Sequence, residues 1–336
     1  MSKTLEHICL QAVICFVLAS SSSAAATAPK PRGKLVDLGG HKLHVNCTGM
    51  GTPTVVVENG LGDFSFDWIL VQKKVSSFAR ICTYDRAGYA WSEPGPLPRT
   101  FAQLNLELRD ALAQLHERGP YVLVGHSFGG PAVRNFAVTY PHDVAGIVLV
   151  DAAYEGMRVG IGGRATIRLG EDAKGRAIPP PHEDMKDSDK PPARHASSSQ
   201  PEQSLDPLYK ALPPSEQTLR LWAQALPNID DAENSQREWS GEYYAKQLAR
   251  PQAGTLGAVP LIVLTRADGG YGNDQDVPAS QQEKERKEGQ AKLVQLSTNS
   301  RQIIVHTGHN MELEAPDEVV AAIREVVQGA RHGTHM

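Results

Sequence analysis

The sequence predicts an α/β protein with a mostly parallel sheet and helices on both of its faces. Short, continuously apolar runs recur along the chain, and segments whose apolar residues repeat at helical spacing lie between them. Strands that are apolar throughout are typical of a parallel sheet that helices bury from both sides. A chain of 336 residues is long enough for one large domain of this class with an insertion.

The first predicted elements are a hairpin and two buried strands. Residues 34–38 and 41–46 flank Gly39-Gly40, and two short strands around a pair of glycines are typical of a β-hairpin. Apolar runs over 54–58 and 80–84 then predict buried strands.

Helices and four further strands continue the alternation. Thr100 can cap a helix that Gly119-Pro120 closes, and its apolar stripe consists of Leu104, Leu108, Leu112 and Leu115. Apolar runs predict the remaining strands over 121–124, 146–150, 260–265 and 302–305. A helix is expected around Leu293, and a final one begins near Pro316 with acidic residues in its first turn.

The amino-terminal residues have the pattern of a secretory signal. Lys3 precedes an apolar stretch over 8–19, and small residues follow it up to a predicted cleavage point after Ala26. An uncleaved anchor is the alternative, although the apolar stretch is short for a membrane span. We therefore expect a secreted or periplasmic protein with no stable membrane anchor after cleavage.

These patterns divide the chain into four parts. Residues 1–26 are the predicted signal peptide, 27–153 and 259–336 the two halves of the core, and 154–258 an insertion over the carboxyl ends of the strands. Within the insertion, residues 172–207 contain seven prolines and are expected to form a mobile loop or a linker without function. Helical pieces are expected over 216–226 and 238–248.

The most informative motif is the pentapeptide Gly125-His126-Ser127-Phe128-Gly129. It follows an apolar strand and precedes a helical pattern, which is the context of a nucleophile elbow. In so tight a turn only glycine fits two residues before and after the serine. The turn lifts the Ser127 hydroxyl above the sheet, and the helix that follows aims its first amides at developing negative charge. Ser127 is therefore the predicted nucleophile.

At this point the chain resembles the α/β-hydrolase superfamily, over residues 34–329. Residues 124–130 look like its nucleophile elbow, and 308–316 are similar to its histidine loop. Residues 84–92 resemble its D-R-x-G-x-G-x-S segment, with Ala90 in place of a glycine. The order serine, acid, histidine also fits. The resemblance implies a mostly parallel eight-stranded sheet with a cap insertion between the sixth and seventh strands.

The resemblance also implies the partners of Ser127. His309 is the expected base; His306 is its rival, but it lies closer to the strand end and lacks a preceding glycine. The acid is either Asp268, which has the usual position after the insertion, or Asp151 at the end of the preceding strand. We favour Asp268.

Two backbone amides should bind the oxyanion, those of Phe128 and of Leu61 in the loop after the third strand. His126, inside the elbow, is interpreted as a packing or supporting residue. Because the second and fourth strands are neighbours in this superfamily, Cys47 and Cys82 are expected to form a disulfide, with two free buried thiols as the alternative.

The expected function is that of a serine hydrolase, esterase-like, that cleaves a small-molecule carboxylic ester through an acyl-enzyme intermediate. An amidase, a lactonase or a carbon–carbon bond hydrolase could use the same residues, and a non-catalytic ligand-binding protein is the alternative from another class. Relatives that cleave epoxides use an aspartate nucleophile, which Ser127 argues against. We expect no cofactor and no metal, because ligand spacings and phosphate or dinucleotide loops are missing from the sequence. A net charge of −4 gives no reason to expect nucleic acid as a partner, and the oligomeric state stays open.

Overall fold

The structure is a computed structural model that describes residues 28–161, 165–168, 204–229, 232–233, 253–267 and 277–336. Residues Pro31–Met336 form one compact unit. The predicted signal peptide, the proline-rich part of the insertion before residue 204 and the helical piece over 238–248 lie outside the described residues. In the described ranges, no helix is both long and apolar enough to cross a bilayer.

An eight-stranded sheet forms the centre of the fold. Its strands are β1 (Lys34–Asp37), β2 (Lys42–Thr48), β3 (Val55–Glu58), β4 (Ile81–Tyr84), β5 (Tyr121–His126), β6 (Val144–Val150), β9 (Leu261–Arg266) and β10 (Ser300–Val305). They lie in the order β1-β2-β4-β3-β5-β6-β9-β10, and β2 pairs antiparallel with both β1 and β4. The remaining neighbours in this order, β4-β3, β3-β5, β5-β6, β6-β9 and β9-β10, are parallel. The predicted fold class, including the β1–β2 hairpin, is confirmed.

Helices cover both faces of this sheet, as the alternating pattern predicts. They are α1 (Ile69–Val75), α2 (Phe101–Gln114), α3 (Gly129–Thr139), α4 (Pro214–Gln224), α5 (Ala279–Val294), α6 (Met311–Glu314) and α7 (Pro316–His332). Apolar side chains of α2, α3 and α5 pack on one face, and those of α1 and α7 pack on the other. Thr100 caps α2 as expected, since its Oγ1 accepts a hydrogen bond from the Gln103 amide at 3.2 Å.

A disulfide joins two neighbouring strands near one edge of the sheet. Cys47 of β2 lies directly opposite Cys82 of β4 in the antiparallel register, and the two residues form a disulfide. The predicted pairing is confirmed, because the sheet order places the second strand beside the fourth.

The described part of the insertion contributes a separate two-stranded ribbon and a helix. β7 (Arg158–Ile161) pairs antiparallel with β8 (Ala165–Arg168). α4 packs its Leu219 and Ala223 with Phe64 and Tyr89, which lie in the loops after β3 and β4. Arg220, which also belongs to α4, donates a side-chain hydrogen bond to Asp67 in the segment between β3 and α1. The described α4 therefore lies over the carboxyl ends of two central strands.

Candidate active site

Ser127 occupies a tight turn between β5 and α3. Its φ of 48° lies in the left-handed region, which a residue with a side chain adopts only when its surroundings impose it. The Ser127 carbonyl accepts hydrogen bonds from the amides of Gly130, at 3.0 Å, and Ala153, at 2.8 Å. A Cβ on Gly129 would lie 2.1 Å from the Glu58 carbonyl oxygen, so this position admits only glycine. Hydrogen bonds from the start of α3 and from the loop after β6 therefore hold the turn.

His309 and Asp151 meet at the same edge of the sheet. Asp151 directly follows β6 and is 2% exposed, whereas His309 lies in the loop after β10. The Nδ1 atom of His309 lies 2.6 Å from Oδ2 of Asp151. A carboxylate accepts, so Nδ1 carries the proton and Nε2 of a neutral His309 is the basic nitrogen.

Burial and charge set the protonation of this pair. Burial and the neighbouring His126 charge lower the pKa of His309, although the hydrogen bond to Asp151 opposes them. Burial acts to raise the pKa of Asp151, but the His309 hydrogen bond and the charges of His309 and Arg266 hold that pKa below its usual range. The Arg266 guanidinium lies 3.4 Å from the Asp151 carboxylate. At neutral pH the pair is therefore an ionised carboxylate and a neutral base.

His306 was the rival base, and Asp268 and Asp151 were the two candidate acids. His306 is exposed and lies three residues before His309, whose Nδ1 contacts the acid. Asp268, the favoured acid, lies outside the described residues, so its contact with His309 stays a prediction. Asp151, the alternative acid, has the contact that a triad requires.

The predicted oxyanion residues lie together beside the elbow. Leu61 packs against an apolar cluster that contains Phe128, Phe101 and Leu104. Neither the Leu61 nor the Phe128 amide has a hydrogen-bond partner within the part of the chain that the structure describes.

Comparisons with known proteins identify the family of the chain. A sequence profile of the "Alpha/beta hydrolase family" matches residues 55–322. The chain belongs to the alpha/beta hydrolase family. The protein YbdG of Bacillus subtilis is 31% identical over 124 residues, which cover 36% of this chain and 38% of YbdG. The chain covers between 15% and 42% of the length of four of its curated relatives.

Solved structures of low identity share the fold of this alpha/beta hydrolase. A thermophilic esterase from Thermogutta terrifontis aligns with a TM-score of 0.58 and 17% identity, over 90% of this chain and 99% of its own. The epoxide hydrolase CorEH aligns with a TM-score of 0.58 and 16% identity, over 87% and 97% of the two chains. Because an esterase and an epoxide hydrolase align equally well, these likenesses establish the fold alone.

Arg86 of this hydrolase lies beside the predicted oxyanion loop and has no role predicted from the sequence. Its guanidinium is 1% exposed, donates to Glu58 at 2.6 Å and to the Gly60 carbonyl at 2.9 Å, and also donates to the Asn59 carbonyl. In a trans peptide the N–H of residue 61 points away from the carbonyl of residue 60. Arg86 therefore turns the Leu61 N–H to the opposite side of the loop. The D-R pair in residues 84–92 was the signal for it.

A second group of buried side chains lies next to His309 and consists of Asp63, His126 and Glu312. Each offers one possible metal-ligand atom, and these atoms lie within 4.8 Å of one another. Both His126 nitrogens already have protein partners, Asp63 at 3.0 Å and the His309 carbonyl at 3.1 Å. Asp63 belongs to no motif of the sequence, and Glu312 lies in the histidine loop without a predicted role, so only the fold brings these two carboxyl groups to His126.

Proposed function

We propose that this alpha/beta hydrolase is a serine hydrolase that cleaves small to medium carboxylic esters through an acyl-enzyme intermediate. The observation that supports it best is the 2.6 Å contact between His309 and Asp151, in loops at the sheet edge where Ser127 stands on its strained turn. A nucleophile, a base and an acid in this arrangement form the constellation of acyl transfer.

In the proposed reaction Ser127 Oγ attacks the ester carbonyl carbon and His309 Nε2 takes the serine proton. The carbonyl oxygen becomes an oxyanion, which the Leu61 and Phe128 amides bind. When the tetrahedral intermediate collapses, the C–O bond to the alcohol breaks and His309 returns the proton to the leaving oxygen. Water then attacks the acyl-enzyme by the same route and releases the acid. Asp151 holds His309 and stabilises its charged form.

The surroundings of the proposed oxyanion site favour an uncharged acyl group. Leu61 and Phe128 pack with Phe101 and Leu104, so the residues that carry both amides are apolar. Apolar side chains with a few placed polar groups are typical of sites for small organic ligands. We therefore propose an aliphatic or aromatic ester rather than a charged one as the substrate.

The proposed location of the protein is outside the cytosol. The disulfide between Cys47 and Cys82 persists in oxidising compartments, and residues 1–26 have the pattern of an export signal. Fractionation of cells that express the full chain tests this proposal. Mature protein that starts at residue 27 in the periplasm or medium supports it, and unprocessed protein in the cytosol refutes it.

A fluorophosphonate probe tests the proposed nucleophile. Time-dependent labelling that Ser127→Ala abolishes and His309→Gln slows supports a serine hydrolase. A folded protein that does not label counts against the enzyme and favours the alternative of a non-catalytic ligand-binding protein. A panel of p-nitrophenyl esters of increasing chain length, with an anilide and a lactone beside it, then measures which carbonyl substrate the enzyme prefers.

A further inference from the structure

His126 lies directly before the proposed nucleophile and is enclosed by protein on every side. Its side chain is 1% exposed, and the structure places it between the loop after β3, helix α6 and the loop that carries His309. The Cβ of an alanine at Gly60 would lie 2.8 Å from His126 Nδ1, so the oxyanion loop also packs on the ring. A residue this close to three parts of the site affects their positions.

The partners of the His126 ring indicate its charge. Nδ1 lies 3.0 Å from a carboxylate oxygen of Asp63, and Nε2 lies 3.1 Å from the His309 carbonyl oxygen. Both partners are acceptors, and a neutral imidazole has only one N–H to donate. Glu312 also lies 3.8 Å from Nε2. Donation from both ring nitrogens requires the imidazolium form, which the adjacent Asp63 carboxylate stabilises.

The imidazolium lies beside the ring of the proposed base. The centroids of the His126 and His309 rings are 4.8 Å apart, and the rings are inclined by 43°. The hydrogen bond from Nε2 holds the backbone of His309 rather than its side chain. His126 thus acts on His309 in two ways. One is the hydrogen bond to the His309 backbone carbonyl, and the other is the electrostatic effect of its charge on the His309 ring.

We propose that His126, held between Asp63 and Glu312, is a positioning residue that fixes the His309 backbone and keeps a positive charge beside the His309 ring. The charge disfavours a second proton on the His309 ring, so His309 stays neutral and basic at a lower pH than an isolated histidine would. This inference rests on the proposed function, because it assigns the acid limit of the same reaction.

The charges around the two rings agree with this role. Burial alone lowers the pKa of His126, but Glu312 and Asp63 raise it to about 9. Burial and the His126 charge lower the pKa of His309. Among the described residues, the other ionisable groups that face the pair are Asp67, Tyr209 and Arg220 near Asp63, and Asp151 and Arg266 at His309. Burial raises the pKa of Glu312 and of Asp67 to about 7. The two histidines therefore differ in protonation across neutral pH.

The size of the effect follows from the separation of the rings. Unit charges 4.8 Å apart shift a neighbouring pKa by about 0.6 to 2.5 units for effective dielectric constants of about 80 to 20. Replacing His126 with the uncharged Gln should therefore move the acid limb of kcat/KM upward by about 0.6 pH units or more. A residue that only packs would lower the activity at every pH and leave the limb in place.

The experiment compares His126→Gln with His306→Gln, which changes an exposed histidine three residues from His309 in the same way. The acid limb of ester hydrolysis is measured for the full enzyme and both variants. The double variant H126Q/E312Q follows if buried carboxylates without a cation prevent folding of the single one. We expect an upward shift in both His126 variants and none in His306→Gln. An acid limb that stays within about 0.3 pH units in folded His126 variants overturns the proposal.

A second measurement separates this inference from the proposed function. The His309 ring is titrated by NMR in a Ser127→Ala background, with and without His126→Gln, and no catalysis is needed. A higher His309 midpoint in the double variant supports the proposal even if the fluorophosphonate probe fails to label Ser127. An unchanged midpoint beside normal labelling refutes the role of His126 and leaves the serine hydrolase intact.

Discussion

Replacing Asp151 with Asn tests the acid of the proposed triad. Two unit charges 2.6 Å apart attract by about 6 kcal/mol at an effective dielectric constant of about 20, an upper value because both charges are delocalised. The Asn side chain keeps the shape and removes this attraction for the protonated His309 that forms during the reaction. We expect kcat to fall by about 10³- to 10⁴-fold, equivalent to about 4 to 5.4 kcal/mol.

The assay is ester hydrolysis over a range of pH, with Asp268→Asn as the matched control. Because Asp151 raises the pKa of His309, its removal should also move the acid limb of the residual activity to lower pH. Asp268→Asn should keep most of its activity. Asp151 is not the acid if Asp151→Asn retains more than about a tenth of kcat/KM while Asp268→Asn loses about a thousandfold. Melting temperatures of both variants equal to that of the unsubstituted enzyme would show that neither result comes from unfolding.

Three further changes test the surroundings of the site and the stability of the fold. Arg86→Lys keeps a charge but cannot donate to both loop carbonyls, so we expect a folded enzyme whose kcat falls about 10²- to 10³-fold at similar KM; unchanged kcat would contradict this. Gly60→Ala places a Cβ 2.3 Å from a buried carboxylate and should lower stability by about 1–3 kcal/mol in urea unfolding, whereas Gly40→Ala, with open space around it, should not. Removing the Cys47–Cys82 disulfide, which closes a separation of 35 residues, should cost about 4 kcal/mol of unfolding free energy; a loss below about 1 kcal/mol would refute its stabilising role.

Much of the fold could be predicted because its signals are local. An apolar run such as 121–124 needs no distant partner to identify it as a buried strand, and Ser127 was singled out by the glycines beside it. Thr100 likewise marks the start of α2 through its own side chain. The Cys47–Cys82 disulfide needed more than local pattern, since only the known strand order of the family brings the two cysteines together.

The acid could not be chosen in the same way. Asp151 and Asp268 both follow apolar strands, and parallel strands bring all their carboxyl ends to one edge of the sheet. Which carboxylate reaches Nδ1 of His309 depends on the direction of each loop, and Asp151 turns toward His309 with a φ of 35°. Sequence spacing contains no information on that direction.

The sequence by itself determined the eight strands of the main sheet, helices α2, α3, α4, α5 and α7, the serine turn and the histidine loop, because each depends on a short stretch of residues. It did not predict β7, β8, α1 or α6. The tertiary structure alone decided what surrounds them. Glu312 reaches His126 across 186 positions of the chain, and Arg86 reaches the carbonyls of a loop from a neighbouring strand. Such contacts follow from the packing of strands and loops against each other, so they appear only when the whole chain is folded.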